Sequence, residues 1–425
     1  MAQFEKDFLL GAATSAHQVE GNNIHSDCWL QEHMSHSSFV EPSGEALDHY
    51  HRYREDIMLL RQAGLNAYRF SIEWARIEPE EGRYDQNEIE HYRNVISFCR
   101  DQGIEPIVTL HHFSSPAWLI RQGGWEADST PFCFARYARH VAEELGGDIR
   151  WLCTINEANI GLQISAVAER IMRQMMADST DGQVQVGLNL QEMMRGKPEA
   201  RRENFQAFGT EIPAVFVTAR SAHGDEIVMR AHAEARRAIR ETAPHIRVGW
   251  TLSLQDVQAI PGGEAEADRE WEREFRHYLP AMQGDDFLGV QNYTRMLLGP
   301  TGTLPAPAEA ELTMMDYEFY PEGIAHVLRK AAQDFKGDLL VTENGVATVD
   351  DTRRQAFIQS AASGVHNCIA DGLPVKGYLY WSLLDNFEWQ KGYGMTFGLV
   401  AVDRSTQKRT PRDSLYVLGR MREKP

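Results

Sequence analysis

The chain has no CxxC pair, and its five cysteines, Cys28, Cys99, Cys133, Cys153 and Cys368, are widely scattered. Neither a disulfide framework nor a structural zinc site is expected from that pattern. No apolar run is long enough to span a bilayer. The N-terminus, Met1 to Gly11, lacks the charged-then-apolar order of a signal peptide. Basic residues are outnumbered, with 43 Lys and Arg against 61 Asp and Glu. Binding a nucleic-acid backbone needs clustered cations, so no nucleic-acid partner is expected. No GxGxxG follows the first apolar run, where Gly11-Ala-Ala-Thr has the wrong spacing. No fixed-period repeat and no low-complexity tract occurs. The expectation is a reduced, soluble, cytoplasmic protein with no membrane partner. Nothing in the sequence indicates an oligomeric state.

What is present is an alternation. Short apolar runs occur at Phe8–Ala13, Ala67–Ile72, Ile107–Leu110, Trp151–Ile155, Val248–Leu252, Phe287–Val290, Leu339–Thr342 and Gly377–Tyr380. Several are apolar throughout, as strands buried on both faces should be. Helical patterns lie between them, among them His49–Gln62, Gln86–Asp101, Pro131–Leu145, Asp225–Thr242, Pro321–Asp334 and Arg353–Ala370. These spacings allow crossover helices, hence a parallel sheet. Eight units in series predict an α/β fold, one (β/α)8 barrel over residues 1–425. An open doubly wound sheet is the alternative. Residues 261–268 and 300–310, rich in Pro, Gly, Ala and Glu, are expected to be surface loops.

In such a barrel the active site forms at the C-terminal strand ends. The residues there are Gln18 and Glu20, Glu73 and Trp74, His111-His112-Phe113, Asn156-Glu157, Asn292-Tyr293, Glu343-Asn344, Trp381 and Glu388-Trp389. Phosphate chemistry would favour Lys, Arg and Gly, and metal chemistry would favour spaced histidines. This set suits an uncharged polyhydroxylated ring: amides and carboxylates pair with hydroxyls, and indoles stack on a sugar face. Two carboxylates from different strands suffice for glycoside hydrolysis. Each residue alone has a plainer use: a Glu caps a helix, a His bonds within the core, a Trp fills it. The joint occurrence of one chemistry on most strand ends favours the site. Arg69, inside an apolar run, requires a buried carboxylate partner.

Five segments carry a resemblance. They are Phe8-Leu-Leu-Gly-Ala-Ala-Thr-Ser-Ala-His-Gln-Val-Glu-Gly21, Tyr68-Arg-Phe-Ser-Ile-Glu-Trp74, Thr154-Ile-Asn-Glu157, Val341-Thr-Glu-Asn-Gly345 and Trp381-Ser-Leu-Leu-Asp-Asn-Phe-Glu-Trp389. In order, they resemble glycoside hydrolase family 1, the family of many β-glucosidases. The resemblance implies a retaining β-glycosidase acting on terminal β-glucosides, with galactosides and fucosides beside them. It implies Glu343 as nucleophile, Glu157 as acid/base, and Arg69 and Tyr293 holding Glu343 as an anion of low pKa. Asn156 would bond the sugar 2-hydroxyl. Gln18, His112, Glu388 and Trp389 would bind the other hydroxyls, Trp381 would stack, and Phe397 would join the substrate-binding set. No metal and no cofactor is implied. The expected partner is a small β-glucoside or oligosaccharide.

The sequence also departs from the family pattern. Ala158 replaces a usual Pro, Phe113 a usual Trp and Ser115 a common acid. Gln291-Asn292-Tyr293 replaces the common Asn-Tyr-Tyr, and residues 161–222 form an atypical rim segment. Met172, Met175, Met176, Met193 and Met194 lie in that segment. They are expected either to form a buried helix face or to line an apolar aglycone entrance. Two other functions remain as alternatives. One is a 6-phospho-β-glycosidase, which the uncharged loop Gly394-Met395-Thr396-Phe397 and Glu388 disfavour. The other is an inactive sugar-binding barrel, which the presence of both glutamates disfavours.

Overall fold

Eight parallel strands close on themselves. In the computed structural model, residues 2–175 and 198–422 are described. The strands are β1 (Leu9–Ala13), β2 (Ala67–Ser71), β3 (Glu105–His111), β4 (Trp151–Ile155), β5 (Arg247–Ser253), β6 (Phe287–Gln291), β7 (Asp338–Glu343) and β8 (Val375–Trp381). Strand β1 pairs in parallel with β8, Leu9 opposite Gly377, and with β2, Gly11 opposite Ala67. That closure makes a barrel and excludes the open sheet. Gly11 is required where β1 and β2 meet, because a Cβ there would stand 1.9 Å from the Ala67 carbonyl oxygen.

Every expected run is a strand. Strand β2 is buried at all five positions, as expected of a sheet covered on both faces. Inside the barrel, Leu9, Ala67, Ile107, Trp151, Cys153, Phe287, Leu340 and Leu379 form one apolar layer. Two residues further along β2 and β3, Arg69 and Thr109 fall on the same side. The interior therefore turns polar towards the C-terminal end, where Arg69 Nε donates to Thr109 Oγ1 at 3.0 Å.

The surrounding helices include α1 (His49–Ala63), α2 (Gln86–Asp101), α3 (Thr130–Leu145), α4 (Ile160–Met175), α5 (Ala222–Thr242), α6 (Glu264–Glu274), α7 (Gly323–Asp334) and α8 (Asp351–Ala370). Helix α2 begins at Asp85, whose side chain accepts from Asn87 N. It buries Ile89, Tyr92, Val95, Ile96 and Cys99, the stripe its sequence spacing requires. Among the described residues, no helix is long and apolar enough to cross a membrane.

Two expected loops are ordered elements. Residues 264–268 open α6 because Ala267, Glu270, Trp271 and Glu274 are buried at helical spacing. Gly302–Leu304 pairs antiparallel with Arg295–Gly299. Within the atypical segment, α4 is followed by a helix at Pro198–Phe208. Arg220 ties the segment back to the barrel by donating to the Ala158 carbonyl, and it braces the segment itself by donating to the Phe216 carbonyl. The side chains of Met172 and Met175, and all of Met176, Met193 and Met194, lie outside the described residues.

Candidate active site

The strand ends converge on a pocket lined by His112, Phe113, Asn156, Glu157, Tyr293, Glu343, Trp381, Glu388, Trp389 and Phe397. Three of these leave the ordinary backbone regions: Phe113, Glu157 and Trp389 have φ of 71°, 44° and 47°. A left-handed conformation costs a non-glycine residue about 1–2 kcal/mol. The fold sustains that cost at Glu157 with two bonds from β5. Glu157 N donates to Thr251 Oγ1 at 2.9 Å, and Ala158 N donates to the Thr251 carbonyl at 3.0 Å.

Arg69 organises the floor. Its Nη1 lies 2.5 Å from Glu343 Oε1, and its Nη2 donates to Asn156 Oδ1 at 2.6 Å. Asn156 Oδ1 also accepts from Thr251 Oγ1 and from Gln291 Nε2. The Tyr293 hydroxyl donates to Glu343 Oε2 at 2.6 Å. Both oxygens of Glu343 are thus held by donors. Burial, then the Glu343 and Glu157 charges, raises the Tyr293 pKa well above normal, so its proton stays available for that bond.

The two pocket glutamates are treated unequally. Burial lifts Glu343, while Arg69 and Tyr293 act to lower it. Its carboxyl therefore sits above the usual glutamate value, not below it as expected; removal from water outweighs the cation. Glu157 has neither clamp. Burial and then the Glu343 charge push it well above the usual value. Of its close neighbours, Ser253 and Arg69 oppose that rise. Its Oε2 is buried and has no hydrogen-bond partner among the described residues. Glu343 is the group of the two better able to stay charged.

Aromatic rings form the walls. His112 stacks on Trp381 at 5.6 Å and on Trp389 at 6.2 Å. Trp389 also stacks on His17, at 5.7 Å with planes 5° apart. Gln18 reaches the pocket through Glu388: its Nε2 donates to the Phe387 carbonyl at 2.8 Å and lies 3.4 Å from Glu388 Oε2. Its Oε1 accepts from Ser15 at 2.6 Å. Gln18 and Arg69 stand behind the other expected site residues.

The remaining strand-end candidates have plainer uses. Glu20 pairs with Arg76 at 2.9 Å. Glu73 caps the short helix Trp74–Ile77 and accepts from Ser114. Trp74 donates to Glu78, and His111 meets Ser115 at 3.0 Å. Asn292 bonds the Leu254 and Thr294 carbonyls. Of the second and third donors to Asn156, Thr251 was not singled out from the sequence, and Gln291 was noted only as a departure from the family pattern. Their positions near the ends of β5 and β6 were the available signal.

A model of the family described as glycosyl hydrolase family 1 matches residues 1–170 and 282–424. The chain belongs to that family. It is a glycosidase. The crystal structure of the β-glycosidase BGL167 is 44% identical, with a TM-score of 0.87, covering 98% of this chain and 96% of that one. Beta-glucosidase A of Thermotoga maritima is 29% identical, over 97% of this chain and 96% of its own. A β-glucosidase structure from Thermotoga maritima in complex with cyclophellitol is 26% identical, with a TM-score of 0.80, covering 99% and 98%. Residues 171–281 fall between the matched parts of the family model.

Proposed function

We propose that this glycosidase is a retaining β-glucosidase, with Glu343 as nucleophile and Glu157 as acid and then base. The observation that carries the reading is the asymmetry of two buried carboxyls lining one pocket. Glu343 is gripped by Arg69 and Tyr293, and Glu157 has no such grip. Glu343 attacks the anomeric carbon while Glu157 gives its proton to the leaving oxygen. The glycosidic bond breaks and a glycosyl ester forms on Glu343. That ester carries no charge, so Glu157 loses its chief repelling neighbour and becomes a competent base. Glu157 then takes a proton from water as the water oxygen attacks the anomeric carbon and frees Glu343.

In this reading Asn156 bonds the 2-hydroxyl. Gln18, His112, Glu388 and Trp389 serve the other hydroxyls, and Trp381 with Phe397 packs against the ring. The substrates are terminal β-D-glucosides, with galactosides and fucosides accepted beside them. The Thermotoga maritima relatives, named as β-glucosidases, support the glucoside assignment. The whole chain acts as one catalytic domain, and five buried unpaired cysteines favour a reducing, cytoplasmic setting. Proton NMR of the earliest sugar product tests the mechanism. The β-anomer appears first if the reading holds, and the α-anomer appears first if water attacks directly.

A further inference from the structure

The loop after β8 carries two expected sugar-binding residues, Glu388 and Trp389, on a backbone that needs outside support. Trp389 has φ of 47° and Gly392 of 63°, and Glu388 N donates to the Gly392 carbonyl at 2.7 Å. A non-glycine residue keeps a left-handed conformation only where its surroundings fix it. Residues 32–43, none of which lines the sugar pocket, supply that support. Phe39 stacks on Phe387 with planes 3° apart. Val40 N donates to the Gln390 carbonyl at 3.2 Å. Tyr393 N donates to Glu41 Oε1 at 3.0 Å, and the Tyr393 hydroxyl donates to the Ser43 carbonyl at 2.6 Å.

These contacts lead to one buried pair. Glu32 Oε1 accepts from Ser43 Oγ at 2.5 Å, and Glu32 Oε2 lies 3.1 Å from His17 Nε2. Both side chains of the pair are shut off from solvent. Asn23 Nδ2 lies 3.1 Å from the other ring nitrogen, Nδ1. With a partner on each nitrogen, the plane of the His17 ring is fixed. That ring stacks on Trp389 with planes 5° apart, and the same indole stacks on His112 in the pocket wall. The pair therefore reaches the loop by two routes. One runs through the His17 ring to Trp389, and the other through Ser43 to Tyr393.

We propose that His17 and Glu32 are positioning residues for recognition of the sugar. They act through Trp389 and the Glu388–Tyr393 loop and touch no substrate themselves. This assignment rests on the β-glucosidase reading and adds the residues that govern how well the sugar hydroxyls are read. A hydrogen bond holds only over about half an ångström of donor–acceptor distance. A loop released from its brace should lose the hydroxyl contacts before it loses the chemistry at Glu157 and Glu343.

The test compares kcat/KM for 4-nitrophenyl β-glucoside with that for its 3-deoxy, 4-deoxy and 6-deoxy forms. Each ratio of glucoside to deoxy sugar reports how well one hydroxyl is read, and it is independent of the fraction of active enzyme. His17→Phe/Glu32→Leu keeps a ring beside Trp389 and removes both members of the polar pair together. In that variant at least one ratio should fall by about fivefold, the worth of one hydrogen bond. Tyr393→Phe cuts the second route by removing one hydroxyl, and should lower the same ratio by at least about twofold. It carries the test if the double variant does not fold. Ratios that stay within about twofold of wild type, even with all rates lowered together, overturn the proposal, since the pair would then support the fold alone. Wild-type ratios near one overturn it as well, because no hydroxyl reading would exist to be lost. A wild type that turns over no β-glucoside overturns the β-glucosidase reading and the proposal with it.

Discussion

Arg69 Nη2 donates to Asn156 Oδ1 across 2.6 Å, and that bond determines how Asn156 faces. A guanidinium has no acceptor, so the atom it meets is the amide oxygen. The amide nitrogen then faces His112 Nε2 at 3.2 Å. His112 accepts there, which places its proton on Nδ1 and leaves the ring neutral. Burial, and then the Arg69 charge, holds the His112 pKa well below normal in the same direction. Nitrogen NMR of His112 should show one neutral Nδ1–H tautomer across about pH 5–8. An imidazolium signal in that window contradicts this arrangement.

The Glu157 carboxyl should change its pKa during the cycle. Burial, and then the negative charge of Glu343, raises it in the free enzyme. Esterifying Glu343 removes that charge, so the Glu157 pKa must fall. Carbon NMR of labelled Glu157, before and after trapping with a 2-fluoro glucoside, measures the change; an unaltered value refutes the coupling. Glu157→Gln should slow substrates with poor leaving groups by about 10²–10⁴-fold. It should leave glycosylation by a dinitrophenyl glucoside far less affected.

Two buried acids, Glu73 and Asp27, link stability to pH. Burial lifts Glu73 from 4.5 to about 7 and Asp27 from 3.8 to about 6. A raised folded-state pKa gives stability that is fully present below the unfolded value. That stability is lost as pH climbs through the folded value. For Glu73 the loss runs from about pH 4.5 to 7 and amounts to about 3 kcal/mol. Urea unfolding of wild type and Glu73→Gln at several pH values isolates it. Wild type should lose stability relative to the variant over that window; a constant difference contradicts the assignment.

The barrel was legible because each strand contains a short, mostly apolar run between helical patterns. Arg69 was legible as an anomaly, since a cation inside such a run demands a partner, and Glu343 supplies it. The helix at Glu264–Glu274 was missed because Gly262, Gly263 and a dense run of charges mask the buried Trp271 stripe. The pKa order of the two glutamates was legible, but the elevation of Glu343 was not, since desolvation depends on the packed surroundings.

A phosphate at the sugar 6-position should be rejected. Glu388 lines the pocket, and Gly394–Phe397 brings no cation to it. The kcat/KM for a 6-phospho-β-glucoside should fall well below that for the plain glucoside. The reverse order would favour the phospho-glycosidase alternative.

In the proposed mechanism Glu343 forms the covalent bond to the sugar. Incubation with a 2-deoxy-2-fluoro β-glucosyl donor slows both steps, and the second step more, so the intermediate should accumulate. Peptide mass mapping should find one sugar per chain, attached to Glu343. A chain that turns over plain β-glucosides yet carries no label, or carries it on Glu157 or elsewhere, contradicts the account.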